Sequence, residues 1–429
     1  MDKSNPSQAP VPRLRHNIAS LGMVQIANYV IPLITLPYLT RVLGPMAYGQ
    51  VAFAQVLMVY FVLLTDYGFS WSATRKIAAH REDRAYISRV FIGTWTAQWL
   101  LVVVAASLAT LAGWYSDRLR PDASLYAVAF TTVVGNVLFP IWFLQGLEHL
   151  QAVAAIQVTT RLLALLPIFV LVHAPSDAVY VLAINGSAAM LAGLLSIAWI
   201  RHRNLLDWHR PDWPAVREEL QEGWALFGSR VAISFYTAFV PLTLGWIAGP
   251  VAVANFSLAD KLRTAAQALL APLSQALFPR MSHLFANDAQ AAFSLLQRSA
   301  LFVFIVAGSI SLTLWGLSDW LVLVLAGPGF EQAAKILQWI AFLPLLIGFS
   351  NLLGVQIMVP KKLNRPFNII LTTAGLTSLL ILWPLITARQ EIGAAQTLLI
   401  TETLVTASMM AFLWHYGHLS FRQKSGHDS

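Results

Sequence analysis

The chain has 429 residues, of which 57% are hydrophobic and only 11% are charged, and its mean hydropathy is +0.63. Soluble domains carry about 25% charged residues, so these totals exclude an ordinary soluble protein and indicate a polytopic membrane protein. The formal net charge of +8 could suggest a nucleic-acid binder, but the placement of the basic residues in loops favours a role in membrane topology.

A polar tail over 1–16 precedes the first apolar run, which continues at the length of a membrane span, so no cleavable signal peptide is expected. Apolar runs of that length, interrupted by glycine, proline and charged residues, predict about twelve membrane-spanning helices. The first, second, seventh and eighth carry most of the polar groups. The predicted spans are 17–40, 47–70, 89–113, 123–145, 151–173, 178–200, 223–247, 251–280, 296–317, 333–359, 367–388 and 393–416.

The 28 lysines and arginines divide unevenly between the two sides of this predicted bundle. When both termini are placed on one side, most of them fall in the loops of that side. The loops of the opposite side hold only Arg41, Arg118, Arg120, Lys335 and Arg389. Because positively charged loops stay in the cytoplasm, we predict that both termini are cytoplasmic.

The largest predicted cytoplasmic link separates the sixth span from the seventh. An apolar stripe recurs in it at helical spacing, which predicts an amphipathic helix lying flat on the membrane surface. The stripe consists of Trp213, Val216, Leu220 and Trp224. The predicted domains are a cytoplasmic tail over 1–16, a six-helix lobe over 17–200, an amphipathic linker over 201–222, a second six-helix lobe over 223–416 and a cytoplasmic tail over 417–429.

The two halves look like repeats of each other. A shift of 205 residues lays Gly44-Pro45 on Gly249-Pro250 and pairs Gln55 with Asp260. Six spans in each half, running in the same sense, predict an all-α fold of two six-helix bundles related by a pseudo-two-fold axis along the membrane normal. Transporters built in this way bind their substrates near the midplane, at the interface of the repeats.

The eighth predicted span, 251–280, carries Asp260, Lys261 and Arg263 within four residues. A charge at the centre of a spanning helix costs about 2.5–3.5 kcal/mol on insertion scales, so these side chains should face a protein interior or a water-filled cavity. On a helical wheel Asp260, Arg263 and Gln267 share one face, with Lys261 at its edge. Asp260 and Arg263 could also pair within their own helix and neutralise each other.

Further polar groups occupy matched places in the other polar spans. The first span contributes Gln25, Asn28 and Tyr29, and the seventh contributes Arg230. Together with the eighth span they predict one central cavity that is polar and mostly cationic. Two more arginines are weaker candidates, because an interfacial position explains Arg41 nearly as well and packing against a neighbouring helix explains Arg161 nearly as well.

Several kinds of chemistry are not expected. The chain has no cysteine, and its ten histidines show no metal-ligand spacing. A phosphate-cradling Walker loop and an HExxH motif are also missing, so we expect no metal, no cofactor and no bound ATP. An ion gradient or the membrane potential, worth about 2.3 kcal/mol per charge at 100 mV, is then the energy source. Asp66 and Asp260 are the candidates for ion coupling.

Five stretches of the sequence resemble a known family, the bacterial polysaccharide-biosynthesis flippases. These belong to the superfamily that also contains the multidrug and toxic-compound extruders and the lipid II flippase. The stretches are LGMVQIANYVIPLITLPYLTRVLGPMAYGQVAFAQ from Leu21, TDYGFSWSATRKIA from Thr65, PIWFLQGLEHL from Pro140, ADKLRTAAQALLAPLSQALFPRMS from Ala259 and FSNLLGVQIMVPKKLNRPF from Phe349.

The resemblance implies a two-lobed bundle in the bacterial cytoplasmic (inner) membrane, without enzymatic activity. It implies that the chain flips undecaprenyl-diphosphate-linked oligosaccharide repeat units, of O-antigen or exopolysaccharide, by alternating access. Arg230, Lys261 and Arg263 are then candidates for binding the diphosphate. The expected partners are the lipid-linked oligosaccharide and membrane lipids, with a polysaccharide polymerase and a chain-length regulator as further candidates and no nucleic acid.

Three alternatives stay open at this point. A small-molecule antiporter of the extruder type would share the fold, although its cavity is expected to be mostly acidic. A polysaccharide polymerase or glycosyltransferase is expected to have a large outer loop or a catalytic segment with paired acidic residues, and the predicted loops are short. A lipid II flippase would be essential for growth, whereas a glycan flippase often is not.

Overall fold

The computed structural model describes residues 11–417, and it describes their side chains from Val30 onward except at 225–226, 229–238 and 276. These residues form helices joined by short turns, and no strand occurs among them. The chain divides into two compact units, Met1–Ser234 and Phe235–Ser429. The boundary between these two units lies inside a helix. The domain limits predicted from the sequence stay predictions.

The helices of the first unit follow one another with short connections, and the last of them continues into the second unit. They are α1 (Val11–Asp66), α2 (Phe69–Ala79), α3 (Arg84–Tyr115), α4 (Ala123–Leu138), α5 (Ile141–Gly146), α6 (Leu150–Leu171), α7 (Ala178–His202) and α8 (Trp213–Ala248). The second unit adds α9 (Pro250–Gln267), α10 (Ala271–Asn287), α11 (Ala289–Gly316), α12 (Ser318–Ala326), α13 (Glu331–Ile340), α14 (Leu343–Leu353) and α15 (Asn364–His415).

In the described part of the chain, eight helical segments are long and apolar enough to cross a membrane. Two of them, Val30–Ala79 and Asn364–His415, are 50 and 52 residues long, well beyond the ~20 residues that one crossing needs. These segments confirm the predicted all-α polytopic membrane fold, while the number of twelve spans stays a prediction. The candidate spans do not include α9, because three charged side chains fall within its 18 residues.

Two predicted spans are not regular α-helix throughout, although the tenth is found as one apolar segment, Glu331–Met358. The eighth, 251–280, is divided into α9 and α10 by a 3-10 turn over Ala268–Leu270. The tenth, 333–359, is divided into α13, α14 and a π-helical turn over Gly354–Met358. Both α10 and α14 carry a proline in their first turn, where its missing N–H costs nothing, so each proline favours a new helix start.

The two halves of the predicted repeat share one unusual backbone conformation, at the glycine of each glycine–proline pair. Gly44, which breaks α1, has φ 68° and ψ 176°, and Gly249, which separates α8 from α9, has φ 85° and ψ −177°. This region is open almost only to glycine. Downstream of both pairs the same positions are buried, since Ala47 matches Ala252 and Ala54 matches Ala259. The local structure therefore agrees with the register that the sequence predicts.

Gly249→Ala is expected to destabilise the second unit by about 1–3 kcal/mol. A Cβ at Gly249 would meet no atom within 4 Å, so the cost comes from the backbone and not from a clash. The measurement is thermal unfolding of the purified protein in detergent. Gly308→Ala is the matched control, because Gly308 also has open space but lies inside α11 with ordinary helical backbone. Equal unfolding temperatures for the two variants would contradict the assignment.

The predicted amphipathic linker packs against protein on one side. Val216 is 1% exposed and packs with Leu220 against Phe69 and Ala97. The expectation that the whole apolar stripe faces the membrane surface was wrong for Val216 and Leu220, because α2 and α3 offer them an apolar surface within the first unit. Trp213 and Trp224, by contrast, are both exposed.

A partly buried ion-pair cluster joins this part of α8 to α2. The ammonium of Lys76 lies 2.8 Å from Glu219, 3.0 Å from Glu222 and 3.3 Å from Glu218. Glu219 is the buried member, and its Oε2 atom has no donor among the described residues. Burial raises the pKa of the Glu219 carboxyl, and the bond from Lys76 opposes that rise. The linker is therefore anchored to the first unit by charge as well as by apolar contact.

Candidate functional site

The charged residues of α9 form one hydrogen-bonded cluster. Arg263 donates from Nε and Nη2 to Oδ1 of Asp260, at 2.9 and 2.7 Å. Its Nη2 atom also donates to the Thr264 hydroxyl at 2.9 Å, and its Nη1 atom donates to Oε1 of Gln267. The Arg263 side chain is only 12% exposed, whereas that of Asp260 is 36% exposed. The alternative that Asp260 and Arg263 pair within their own helix is therefore confirmed.

This pairing leaves the cluster with an oriented guanidinium and a net positive charge. A guanidinium has five N–H groups, and the bonds to Asp260, Thr264 and Gln267 use four of them. Lys261, which is half-buried and next to Asp260 in the sequence, is a second cation of α9, whose own residues include one carboxylate. The cluster can thus bind an anion with an arginine that its own helix already holds in place.

The position of α9 keeps this cluster inside the second unit. Its apolar face is buried over Ala252, Val253, Phe256, Leu258 and Leu262, and the helix packs against α13, α14 and α15. The charged face is therefore held on a helix whose other side belongs to the core. A site on a rigid, packed element keeps its geometry better than one on a loop.

The other described candidates belong to the first unit. Asp66 is half-buried at the end of α1, where its Oδ1 atom accepts a hydrogen bond from the Ser70 hydroxyl. The chain then turns through Tyr67 and Gly68, which both have positive φ. Arg41 is exposed beside the break at Gly44, and Arg161 is half-buried in α6.

Four predicted cavity residues cannot be placed further. Gln25, Asn28 and Tyr29 lie in α1 and Arg230 lies in α8, but their side chains are outside the described residues. Their role in the cavity stays a prediction. Of the predicted set, the structure brings together Asp260, Arg263 and Gln267, with Lys261 next to them in sequence.

The sequence prediction missed a second group of polar side chains in the second unit. The Ser350 hydroxyl lies 2.6 Å from Oε1 of Glu402, and the Ser274 hydroxyl lies 2.7 Å from Oδ1 of Asn351. Glu402 is 8% exposed, inside the predicted twelfth span. A carboxyl within an apolar span is itself a signal of function, so Glu402 could have been found from the sequence.

The charges of α9 suit an anion. In the described part of the chain no group of three or more histidine, aspartate or glutamate side chains is placed to hold a metal ion. The candidate chemistry of α9 is the recognition of an anion by two cations. That chemistry suits a binding or transport site.

Comparison with known proteins identifies the family. The family described as "Polysaccharide biosynthesis protein" matches residues 14–285, which is more than half of the chain. The chain belongs to this family. It is also 35% identical over 405 residues to a proposed O-antigen transporter of Escherichia coli strain K12, an alignment that covers 93% of this chain and 96% of that protein.

A second relative supports the same assignment. A proposed O-antigen transporter of Shigella dysenteriae is 30% identical over 399 residues, covering 92% of this chain and 99% of that protein. Both relatives are described as transporters, so this member of the polysaccharide biosynthesis protein family is a membrane transport protein and not an enzyme. The predicted family resemblance is confirmed.

Solved structures agree with the fold. The lipid II flippase MurJ in an inward closed conformation is similar with a TM-score of 0.70 at 11% identity, covering 94% of this chain and 87% of that one. An inward-facing multidrug resistance transporter of the MATE family is similar with a TM-score of 0.69 at 13% identity, covering 94% and 98%. At such low identities the likeness concerns the fold alone.

Proposed function

We propose that this chain flips undecaprenyl-diphosphate-linked oligosaccharide repeat units of O-antigen or exopolysaccharide across the bacterial inner membrane. The repeat unit would pass from the cytoplasmic to the outer leaflet by alternating access, with both termini of the chain in the cytoplasm. The observation that carries the proposal is the cationic cluster of α9, in a chain whose relatives are described as O-antigen transporters.

The chemistry of the cluster suits a diphosphate. A guanidinium N–H donates a strong hydrogen bond to a phosphate oxygen, and an ammonium acts as a compact point charge. In this chain Arg263 would supply the one N–H group that its bonds to Asp260, Thr264 and Gln267 leave over, and Lys261 would supply the point charge. Asp260 and Gln267 would hold the guanidinium in position. The lipid tail would stay in the bilayer while only the polar head crosses.

The remaining predictions belong to this proposal. Arg230 would add a third cation, and Gln25, Asn28 and Tyr29 would line the same cavity. Asp66 and Asp260 remain candidates for ion coupling. Membrane lipids surround the chain, and a polysaccharide polymerase and a chain-length regulator are the partners that would consume its product.

Arg263→Ala and Lys261→Ala are expected to reduce surface polysaccharide while leaving the protein in the membrane. A hydrogen bond to a charged group contributes about 1.5–3 kcal/mol, so each variant should bind the diphosphate roughly ten- to a hundredfold more weakly. The measurement is complementation of a bacterial strain that lacks its own O-antigen transporter, with surface polysaccharide and protein level followed together. Lys335→Ala, which removes an exposed lysine of α13, is the matched control.

The outcomes separate this proposal from its alternatives. Normal polysaccharide in both variants would remove Lys261 and Arg263 from the mechanism. Polysaccharide loss with single repeat units accumulating on the outer leaflet would indicate a polymerase. Drug sensitivity without a polysaccharide defect would indicate a small-molecule antiporter, and arrest of growth on depletion would indicate a lipid II flippase.

A further inference from the structure

Two stretches of the second unit meet at one end of it. Helices α10 and α11 pack together and are joined at Asp288, whose side chain caps α11. The segment after the π-helical turn lies against this joint, because the Lys361 ammonium is 5.1 Å from the ring centre of Phe285 and 4.9 Å from that of Phe293. The stretches that meet here are 271–299 and 354–370.

Four exposed cations lie in these two stretches, and we call them the basic surface. None of them has an ion-pair partner among the described residues. Lys361 is not a member, because its ammonium already contacts the two phenylalanine rings. Asp288 is the one acidic residue in the two stretches, so four positive charges against one negative charge leave +3. The members are Arg280 of α10, Arg298 of α11, and Lys362 and Arg365 after the π-helical turn.

The matching turn of the first unit is mostly neutralised within the chain. The shift of 205 residues lays Arg75 on Arg280, so the α2–α3 turn corresponds to the α10–α11 turn. Four basic side chains at the first turn lie between 2.7 and 3.6 Å from a carboxylate; the pairs are Lys76 with Glu219, Arg81 with Glu148, Arg84 with Asp207 and Arg89 with Asp212. The second turn has no such carboxylates, so its cations can serve a partner outside the chain.

The setting of the basic surface favours a lipid as that partner. Arg298 and Arg365 lie in the first halves of helices that are long and apolar enough to cross a membrane. Exposed apolar side chains accompany the cations, since Phe278 is 37% exposed and Ile369 is 53% exposed. Long basic side chains near the ends of membrane helices extend to the headgroup level, and basic sites between such helices bind anionic headgroups.

We propose that the basic surface binds the headgroups of anionic phospholipids. A headgroup with a net negative charge suits four cations, whereas a zwitterionic headgroup brings an ammonium of its own. Bound headgroups hold α10, which follows the cationic cluster of α9, at a fixed depth in the membrane. That these lipids belong to the cytoplasmic leaflet rests on the orientation proposed above with the flippase function. The preference for anionic headgroups does not depend on that orientation.

The direct test is native mass spectrometry of the purified full-length protein with phosphatidylglycerol or phosphatidylethanolamine added. We expect phosphatidylglycerol to bind more tightly, and less so at high salt, because salt screens exposed charges. Each basic residue near a membrane surface contributes about fivefold in binding, so Lys362→Gln combined with Arg365→Gln should weaken phosphatidylglycerol binding about 25-fold. The matched control is Lys335→Gln combined with Arg389→Gln, which removes two exposed cations from the opposite ends of the same helical segments.

A second variant guards against a folding defect in the first. Arg280→Gln combined with Arg298→Gln changes two exposed side chains on other helices and should weaken binding to a similar extent. Thermal unfolding shows which variants are folded. If either folded variant keeps the full preference for phosphatidylglycerol, the assignment of its two residues is overturned, and equal binding of the two phospholipids to the unmodified protein would overturn the whole inference.

Two further outcomes separate this inference from the flippase function. A polyprenyl diphosphate that displaces phosphatidylglycerol at equal concentration would assign the basic surface to the transported lipid and overturn its assignment to phospholipids. Lipid binding is measured without transport. A chain that fails to restore surface polysaccharide but still prefers phosphatidylglycerol would therefore contradict the flippase function and support the lipid site.

Discussion

Lys76→Ala is expected to destabilise the first unit by about 3–5 kcal/mol, the cost of leaving a buried charge without its partner. The Lys76 and Glu219 side chains are 10% and 3% exposed, and their charged atoms lie 2.8 Å apart. Removing the ammonium leaves three carboxylates near one another, one of them buried. The variant should therefore loosen the contact between α2 and the start of α8.

The cluster offers both a rescue and a matched control. Glu219→Gln added to Lys76→Ala should recover much of the loss, because it removes the buried charge as well as its partner. Arg81→Ala breaks a pair of similar length, Arg81 to Glu148 at 2.8 Å, but those side chains are 39% and 55% exposed. Exposed pairs contribute about 0–1 kcal/mol. Thermal unfolding in detergent measures all three variants.

The pH dependence of Lys76→Ala tests the same cause. Burial raises the pKa of Glu219 above its ordinary value of 4.5, and without Lys76 nothing in the cluster opposes that rise. A raised pKa in the folded state means that folding takes up a proton, so stability is greatest at low pH and is lost as pH rises through the folded pKa. The variant should become more stable on acidification from neutral pH toward 4.5. Unfolding temperatures that stay flat over this range would argue against a buried carboxyl.

The sequence predicted much of the architecture because hydropathy and charge act locally. Run lengths and the spacing of glycine, proline and charge indicate a polytopic helical protein. The pairs Gly44-Pro45 and Gly249-Pro250 could be recognised because proline disfavours helical backbone at the residue before it. A glycine at that position can adopt a positive-φ conformation that is closed to almost every other residue. The face shared by Asp260, Arg263 and Gln267 follows from helical spacing alone, and so does the option that they bond to each other.

Contacts between helices could not be predicted in the same way. Lys76 and Glu219 are 143 positions apart, and Ser350 and Glu402 are 52 apart. Spacing says which residues share a face of one helix, but not which helix packs against that face. Glu402 was missed for a different reason, because the twelfth predicted span is mostly apolar and was not expected to carry a buried carboxyl. Glutamate is rarely buried unless it is paired, so the burial of Glu402 is itself informative.

The contact between α4 and α7 in the first unit is carried by small residues. Helices α4 and α7 pack together over a long interface, where Gly135 faces Ala189 and Gly193 faces Leu138. A Cβ at Gly135 would lie 2.6 Å from the carbonyl carbon of Ala189 and 2.7 Å from the backbone nitrogen of Met190. Small residues allow such backbone approach between membrane helices, and a larger side chain has no room.

Gly135→Leu is expected to separate α4 from α7 and to destabilise the first unit. Overpacking usually costs about 1–3 kcal/mol, and the cost here should exceed that range because the obstruction is backbone, which cannot rotate aside as a side chain can. Gly113→Leu is the matched control in the same unit, since a Cβ at Gly113 would meet nothing within 4 Å. We expect Gly113→Leu to keep its membrane level and unfolding temperature, and Gly135→Leu to lose both.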